Sequence, residues 1–442
     1  MAKRYLIETF GCQMNFHDSE RLAGLLEAAG YEPAVAASDA DVIVLNTCTV
    51  REKAEDKVFS RIGELREEAE VAGAAPVVAV AGCLAQQEGA ALFRRSPFVD
   101  VVVGTQAAKR LPLLVDAARR DAVRQIDINP YEDVSFPLGV ARRSDPVRAW
   151  VTIVEGCNDY CAFCVVPYTR GHERMRPKQD ILAEVREAVA SGRGEIHLLG
   201  QIVNHYQAPD DPDCDFAGLL QAVDAIPGIR RIRFASPHPR HVTPRLIDAL
   251  ATLPAVCRHL HLPVQSGSTR ILQAMRRRHT RDDYLRLVDA LRRRVPDIQL
   301  STDMIVGFPG ETEDDFADTL SLVGHVRFHA MFSFKYSERP NTLAAKRLTD
   351  SVPETEKSRR IVELQERQRD IQLRLHARAV GSSPTVLVDG VSRRRDAELS
   401  GRTTGNTVVN FPGSADLLGQ FVAVRIERAG PNSLWGQVEG PA

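Results

Sequence analysis

Four aliphatic runs in the first hundred residues constrain the fold more than any other feature of the chain. They read "YLIETFGC", "DVIVLNTC", "PVVAVAGC" and "VDVVVGT". Near-continuous Val, Ile and Leu suit strands buried on both faces, as in a parallel sheet. Helical patterning lies between them: Leu22, Leu25, Leu26 and Ala29 recur at i, i+3, i+4 and i+7. Parallel strands all end on one sheet edge, and ligands of open α/β folds bind there. Three of the runs close on Cys12, Cys48 and Cys83, 36 and then 35 residues apart. The topology therefore predicts that three thiols distant in sequence meet in one crevice.

At 442 residues the chain is long enough for two to four domains, and its 44% hydrophobic content supports real cores. A net charge of −1 says nothing by itself about nucleic acid. Three arginine runs stand out locally, at 276–278, 292–294 and 393–395, each of which alone reads as a solvated face. No stretch approaches 18 apolar residues, and the start lacks a long apolar run and a cleavage site. A soluble cytoplasmic protein without membrane segments is expected, so the eight cysteines should be thiols or metal ligands rather than disulfides. Cys214 and Cys257 fit no motif and read as buried small hydrophobes.

Residues 1–120 form the first predicted domain. Residues 121–148, with "INPYEDVSFPLG", read as an extended linker. A second strand–helix series spans 149–378. Its candidate strands are "AWVTIVEG", "EIHLLGQ", "RIRFAS", "RHLHLPV", "IQLSTDMIVGF" and "HAMFSFKY", with helices such as "ILAEVREAVASG" and "DDYLRLVDALRRR" between them. Six βα units predict a partial barrel. A helix follows, with Ser351 and Glu354 as a capping box and Ile361, Leu364, Ile371 and Leu375 on its buried side. Residues 379–442 carry the short strands "PTVLVDG", "TVVNF", "FVAVRIERAG" and "SLWGQVEG" divided by glycines, which predicts a small OB-like β-barrel.

The chemistry is concentrated in "EGCNDYCAFCVV", directly after the first strand of the second series. Cys157, Cys161 and Cys164 are separated by three and then two residues. Structural zinc usually takes four ligands in two pairs, and no partner pair lies nearby. A [4Fe–4S] cluster held by three thiolates keeps one iron without a protein ligand, open to a substrate or cofactor. The same argument applies to Cys12, Cys48 and Cys83.

The spacing C-x3-C-x2-C, with Phe163 just before its last cysteine, resembles the radical S-adenosylmethionine superfamily. Two open clusters in one chain resemble the methylthiotransferases over nearly the whole length. The stretches "GCQMNFHDSE", "NTCTVREKAEDKV", "GCLAQ" and "CAFCVVPYTRGHE" are similar to the tRNA-2-methylthio-N6-dimethylallyladenosine synthase branch. Gln13-Met14 stands where the ribosomal-protein branch has Pro-Lys and the threonylcarbamoyl-adenosine branch Lys-Val. The resemblance implies a flavodoxin-like N-terminal domain, a partial (βα)6 radical barrel and a C-terminal TRAM domain that binds RNA. It implies two [4Fe–4S] clusters, with Cys12, Cys48 and Cys83 as metal ligands of one. Cys157, Cys161 and Cys164 would hold the catalytic cluster, where S-adenosyl-L-methionine is cleaved to a 5′-deoxyadenosyl radical. A methylthio group would then reach C2 of N6-isopentenyladenosine beside the tRNA anticodon. Two S-adenosylmethionine molecules would be used, with sulfur carried on the second cluster.

Further expectations attach to single residues. Gln201 stands where the superfamily holds the methionine amino group. Gln265 and Ser266 are candidates for the cofactor pocket, although Ser266-Gly267-Ser268 reads equally as a turn and helix cap. Phe163 is a candidate to pack on the cofactor or in the core. Arg170, Arg174 and the Arg393-Arg394-Arg395 run are candidate RNA contacts, against solvated surface. The last barrel has six Arg against six Asp plus Glu, so bulk charge does not argue for RNA there. A monomer is expected, served by an electron donor such as a flavodoxin or ferredoxin system and by iron–sulfur carrier proteins. The alternatives are methylthiotransfer to threonylcarbamoyl-adenosine tRNA or a ribosomal protein Asp, and a non-catalytic iron–sulfur RNA-binding sensor.

Overall fold

The computed structural model describes residues 3–49, 52–73, 75–130, 139–392 and 398–441. The chain divides into two compact units. One comprises Met1–Ser144, Trp150–Asp159 and Cys164–Arg174, the other Asp145–Ala149, Tyr160–Phe163 and Met175–Ala442.

The first unit runs β1 (Lys3–Phe10), α1 (Gln13–Ala28), β2 (Tyr31–Pro33), β3 (Val42–Thr47), α2 (Glu52–Ala72), β4 (Val77–Gly82), α3 (Cys83–Glu88), α4 (Ala91–Arg95), β5 (Val101–Val103), α5 (Leu111–Asp121) and β6 (Gln125–Asp127). The strands form one parallel sheet in the order β2-β1-β3-β4-β5-β6, a flavodoxin-like arrangement. Alternation along β3 builds two cores. Val42 and Val44 pack with Leu22, Leu26, Leu111 and Val115. Ile43 and Leu45 pack with Val58, Ile62, Leu65 and Leu84. Each such side chain contributes about 1.5–3 kcal/mol of transfer free energy when fully buried. The predicted stripe on α1 holds at Leu22 and Leu26, whereas Ala29 is exposed at the helix C-terminus. Strand β6 lies inside the stretch read as linker and extends the sheet beyond residue 120.

The strands that follow are β7 (Arg148–Thr152), β8 (Val154–Glu155), β9 (Arg174–Met175), β10 (Glu195–Leu199), β11 (Arg231–Phe234), β12 (His259–His261), β13 (Gln299–Val306) and β14 (Ala330–Lys335). The helices are α6 (Val166–Thr169), α7 (Lys178–Ala190), α8 (Phe216–Asp224), α9 (Pro244–Thr252), α10 (Thr269–Ala274), α11 (Arg281–Arg294), α12 (Glu313–Val326), α13 (Leu343–Arg347) and α14 (Glu354–Ala377). Two three-stranded sheets, β11-β10-β7 and β12-β13-β14, are bridged by the parallel pair Ile232 and Val256. This is the six-strand partial barrel expected. Helix α14 buries Leu364 and Ile371, with Ile361 and Leu375 half-buried. The capping box predicted at its start is absent. Pro353 is the N-cap, and the Ser351 hydroxyl instead accepts the Gly310 N–H at 3.0 Å. Cys214 and Cys257 are both buried, as read.

The C-terminal strands β15 (Thr385–Val391), β16 (Glu398–Thr403), β17 (Val408–Pro412), β18 (Phe421–Ala429) and β19 (Leu434–Pro441) close a barrel in the order β15-β16-β17-β19-β18. Its interior is filled by Val386, Val388, Val409, Phe411, Val424 and Ile426. Strand β16, "ELSGRT", is absent from the strands the sequence predicts.

Carbonyls of this barrel cap the partial barrel within the second unit. Arg231 donates to the Arg402 and Thr385 carbonyls, and Arg233 to those of Thr403 and Thr404, at 2.6–3.1 Å. Buried Glu195 supplies the countercharge, 2.6 Å from His197 and 3.3 Å from Arg233.

Candidate iron–sulfur and radical site

The strand ends gather the first three thiols. Phe10 pairs with Thr47 and Thr47 with Gly82, so Cys12, Cys48 and Cys83 each follow a registered strand end by one or two residues. Cys12 is the N-cap of α1 and Cys83 the first residue of α3. Two glycines permit the approach. A Cβ on Gly11 would meet Cys48 Cβ at 2.8 Å. Gly82 has φ +89°, and its Cβ would lie 2.4 Å from Asn46 Oδ1 and 2.7 Å from the Thr47 carbonyl. Buried Asn46 fastens β3 to α1, donating to the Asn15 carbonyl at 2.8 Å and to Ser19 Oγ at 2.9 Å.

The electrostatics separate the thiols. A hydrogen bond with Cys48 is the main influence on Cys12. Despite desolvation, that bond and the Arg170 charge bring its pKa down to about 6. Burial pushes Cys83 up, with Arg170 opposing. Arg170 itself is buried, 2.6 Å from Asp18. This corrects the reading of Arg170 as an RNA contact: it faces thiols and a carboxylate rather than solvent. Arg174 is half-buried. Arg393, Arg394 and Arg395 lie outside the described residues.

The second cysteine group lies on the loop after β7 and β8. Gly156, at φ +76°, precedes Cys157, and a Cβ there would sit 2.1 Å from the His172 carbonyl. Cys157 N–H donates to the Gly171 carbonyl at 3.1 Å, and its Sγ accepts from Asp159 N–H at 3.4 Å. Cys161 and Cys164 are half-buried, and the Cys161 Sγ accepts from Arg277 Nη1 at 3.5 Å. Phe163 packs against the cluster of Ala162, Ile271, Met275, Phe308 and Tyr336, a core role.

Gln201 follows β10, and its Oε1 is buried with no partner among the described residues. Gln265 has φ +80° and bridges to Met304. Ser266 is fully buried, 3.5 Å from Thr319 Oγ1, and accepts from Ser268 N–H at 3.2 Å. Ser268 caps α10. The turn-and-cap reading thus describes Ser266-Gly267-Ser268, and Ser266 is engaged in packing the loop.

Strand register sets His261, Ser301, Asp303 and Phe332 on one face of the β12-β13-β14 sheet. His261 Nε2 is 3.4 Å from Asp303, and its ring is edge-on to half-exposed Phe332 with centroids 5.9 Å apart. Sequence reasoning missed His261, Phe332, Asp18, Asn46 and Arg277. Their types are common, and only topology sets Asp18 and Asn46 by the first thiols, Arg277 by Cys161, and His261 by Phe332.

Three family profiles match the chain: UPF0004, an uncharacterized protein family, at residues 4–104, the Radical SAM superfamily at 151–323, and the TRAM domain at 377–438. A curated relative from Solibacter usitatus, named tRNA-2-methylthio-N(6)-dimethylallyladenosine synthase, is 44% identical over 99% of this chain and 98% of its own. One of the same name from Thiobacillus denitrificans is 48% identical over 98% of each. The chain belongs to the tRNA-2-methylthio-N(6)-dimethylallyladenosine synthase family. Among solved structures, the radical S-adenosylmethionine methyltransferase TsrM from Kitasatospora setae, with cobalamin and a [4Fe-4S] cluster bound, superposes with TM-score 0.57. It shares 14% identity, with 78% of this chain and 74% of that one covered, and so supports the fold.

Members of this synthase family carry two [4Fe–4S] clusters and use S-adenosyl-L-methionine. The residues fit that requirement. The two donor sets are soft thiols, suited to iron–sulfur chemistry. The orphaned Gln201 Oε1 is an acceptor awaiting a donor. Among the described residues no three His, Cys, Asp or Glu side chains are drawn together tightly enough for a single metal ion. A four-iron cluster asks for wider spacing, because each thiolate holds a different iron. No described helix is long and apolar enough to cross a membrane.

Proposed function

We infer that the chain methylthiolates C2 of N6-isopentenyladenosine next to the anticodon of tRNA. The observation that carries this reading is full-length identity of 44–48% to relatives bearing that synthase name, spanning both cysteine triads. Adenine C2 bears an aromatic C–H with no acidic proton, so no side-chain base removes it at neutral pH. When bound, the clusters and S-adenosylmethionine supply one-electron chemistry for that hydrogen, together with the sulfur and methyl that replace it.

The protein's own part is to hold and orient. Cys157, Cys161 and Cys164 grip one cluster, and Cys12, Cys48 and Cys83 the other. Gln201 Oε1 accepts from the methionine amino group. The face bearing His261, Asp303 and Phe332 offers an aromatic surface and polar atoms to a splayed-out base, as single-stranded loop nucleotides require. The TRAM barrel adds RNA affinity through its loops and strands. A low-potential carrier of the flavodoxin or ferredoxin type supplies electrons, iron–sulfur carriers load the clusters, and the enzyme works as a cytoplasmic monomer.

Mass spectrometry of tRNA nucleosides from a strain lacking the gene tests this. The expected result is loss of 2-methylthio-isopentenyladenosine with accumulation of isopentenyladenosine. An unchanged nucleoside profile overturns it.

A further inference from the structure

Helix α10 ends at Ala274, and the chain then turns through Arg276 and Arg278, both left-handed at φ +58° and +55°. Non-glycine residues are disfavoured in that region, so surrounding contacts must hold the turn. Between them sits Arg277, only 6% exposed. Its Nη2 donates to the Pro263 carbonyl at 2.7 Å, and its Nη1 points at Cys161 Sγ, 3.5 Å away. Its Nε is buried without a partner. The turn also anchors the cysteine loop through backbone: Ala162 N–H donates to the Met275 carbonyl at 2.9 Å. The Ala162 carbonyl accepts from Ala344 N–H at 2.7 Å.

Among the described residues no carboxylate pairs with Arg277. Other buried arginines here have one: Arg170 has Asp18, Arg176 has Glu184 and Arg360 has Glu311. A buried guanidinium without a counter-ion is strongly unfavourable, so its charge is placed for an anion. The group in reach is the Cys161 sulfur. An iron–sulfur cluster held by three thiolates is anionic, and each electron it takes adds one negative charge.

We propose that Arg277 is a positioning residue for the radical cluster, fixing the Cys161 ligand and favouring the reduced state. It rests on the reading that Cys157, Cys161 and Cys164 hold that cluster. In the step concerned, one electron passes from a low-potential one-electron carrier to the cluster. The carrier is oxidised by one electron, and no proton or covalent bond changes hands. Hydrogen bonds and charge at the sulfurs are recognised determinants of cluster potential.

The test uses full-length protein carrying Cys12→Ala, Cys48→Ala and Cys83→Ala, reconstituted anaerobically with iron and sulfide so that a single cluster is titrated. Midpoint potential is read by electron paramagnetic resonance during reduction with dithionite. Arg277→Met should make reduction about tenfold less favourable, a midpoint about 59 mV lower for one electron. Arg277→Lys keeps the charge and loses the fork, and should recover part of the shift. If Arg277→Met takes up no iron, the lowered midpoint of Arg277→Lys carries the inference. Midpoints equal to the parent's overturn it. Absence of iron from the parent itself would instead remove the cluster assignment.

Discussion

At the scale of single residues, the cysteines stand out in the sequence because metal chemistry restricts residue type. Nothing but a thiolate serves a cubane well, so three at the right spacing announce themselves. Arginine announces nothing. In sequence, Arg170, Arg174 and Arg277 look alike; in the fold Arg170 is buried against Asp18 and Arg277 against Cys161, while Arg174 is half-buried. Burial of a charge is decided by long-range contacts that no local pattern encodes. Gly82 is another such residue. It adopts φ +89° with Asn46 Oδ1 2.4 Å from where a Cβ would stand. Gly82→Ala should therefore cost about 2 kcal/mol or more, from left-handed strain plus displacement of Asn46. Calorimetry should show a lower transition, and iron uptake at the Cys12, Cys48 and Cys83 site should fall. A variant with unchanged transition and iron would show that the strand ends are less tightly packed than argued.

At the scale of elements, the sequence marks strands that bury two faces and loses those that do not. Strands β3 and β4 are almost wholly apolar and were read directly. Strand β16 holds one large apolar residue, Leu399, among Glu, Ser, Gly, Arg and Thr, and owes its form to its neighbours β15 and β17. Strand β6 is three residues long and exists because β5 offers it an edge. The contact of β11 with the C-terminal barrel is equally invisible in the sequence. Burial pushes the Glu195 carboxyl up, but the His197 hydrogen bond and the charges of Arg233 and Arg231 outweigh it, leaving the pKa well below the usual range. A depressed carboxylate contributes stability that is complete above its unfolded value and drains away as pH falls below about 4.5. Glu195→Gln should destabilise the fold by about 3–5 kcal/mol near neutral pH, since two buried guanidiniums lose their countercharge. Its stability should also fall less steeply on acidification than the parent's. Urea titrations at two pH values decide this, and parallel slopes would sink the argument.

At the scale of the whole molecule, the family resemblance was legible end to end because the two cysteine groups and the change to short glycine-divided strands follow one another in a fixed order. The family matches at 4–104, 151–323 and 377–438 follow the same progression. The exact ends of the domains were less visible, since they depend on pairings such as β6 with β5. Two open clusters make a stoichiometric prediction. Anaerobically reconstituted full-length protein should contain about eight irons per chain, and the Cys12→Ala, Cys48→Ala, Cys83→Ala variant about four. A parent with only four would leave the strand-end thiols without a metal.

The registered strand ends have a consequence for how the enzyme matures. Cys157, Cys161 and Cys164 span eight residues, so even a nascent, unstructured chain can close around metal there at little entropic expense. Cys12, Cys48 and Cys83 become neighbours only once β1, β3 and β4 have zipped together. Under the proposed assignment of both triads, folding itself orders their loading: the compact group can close early, and the strand-end group needs the finished sheet.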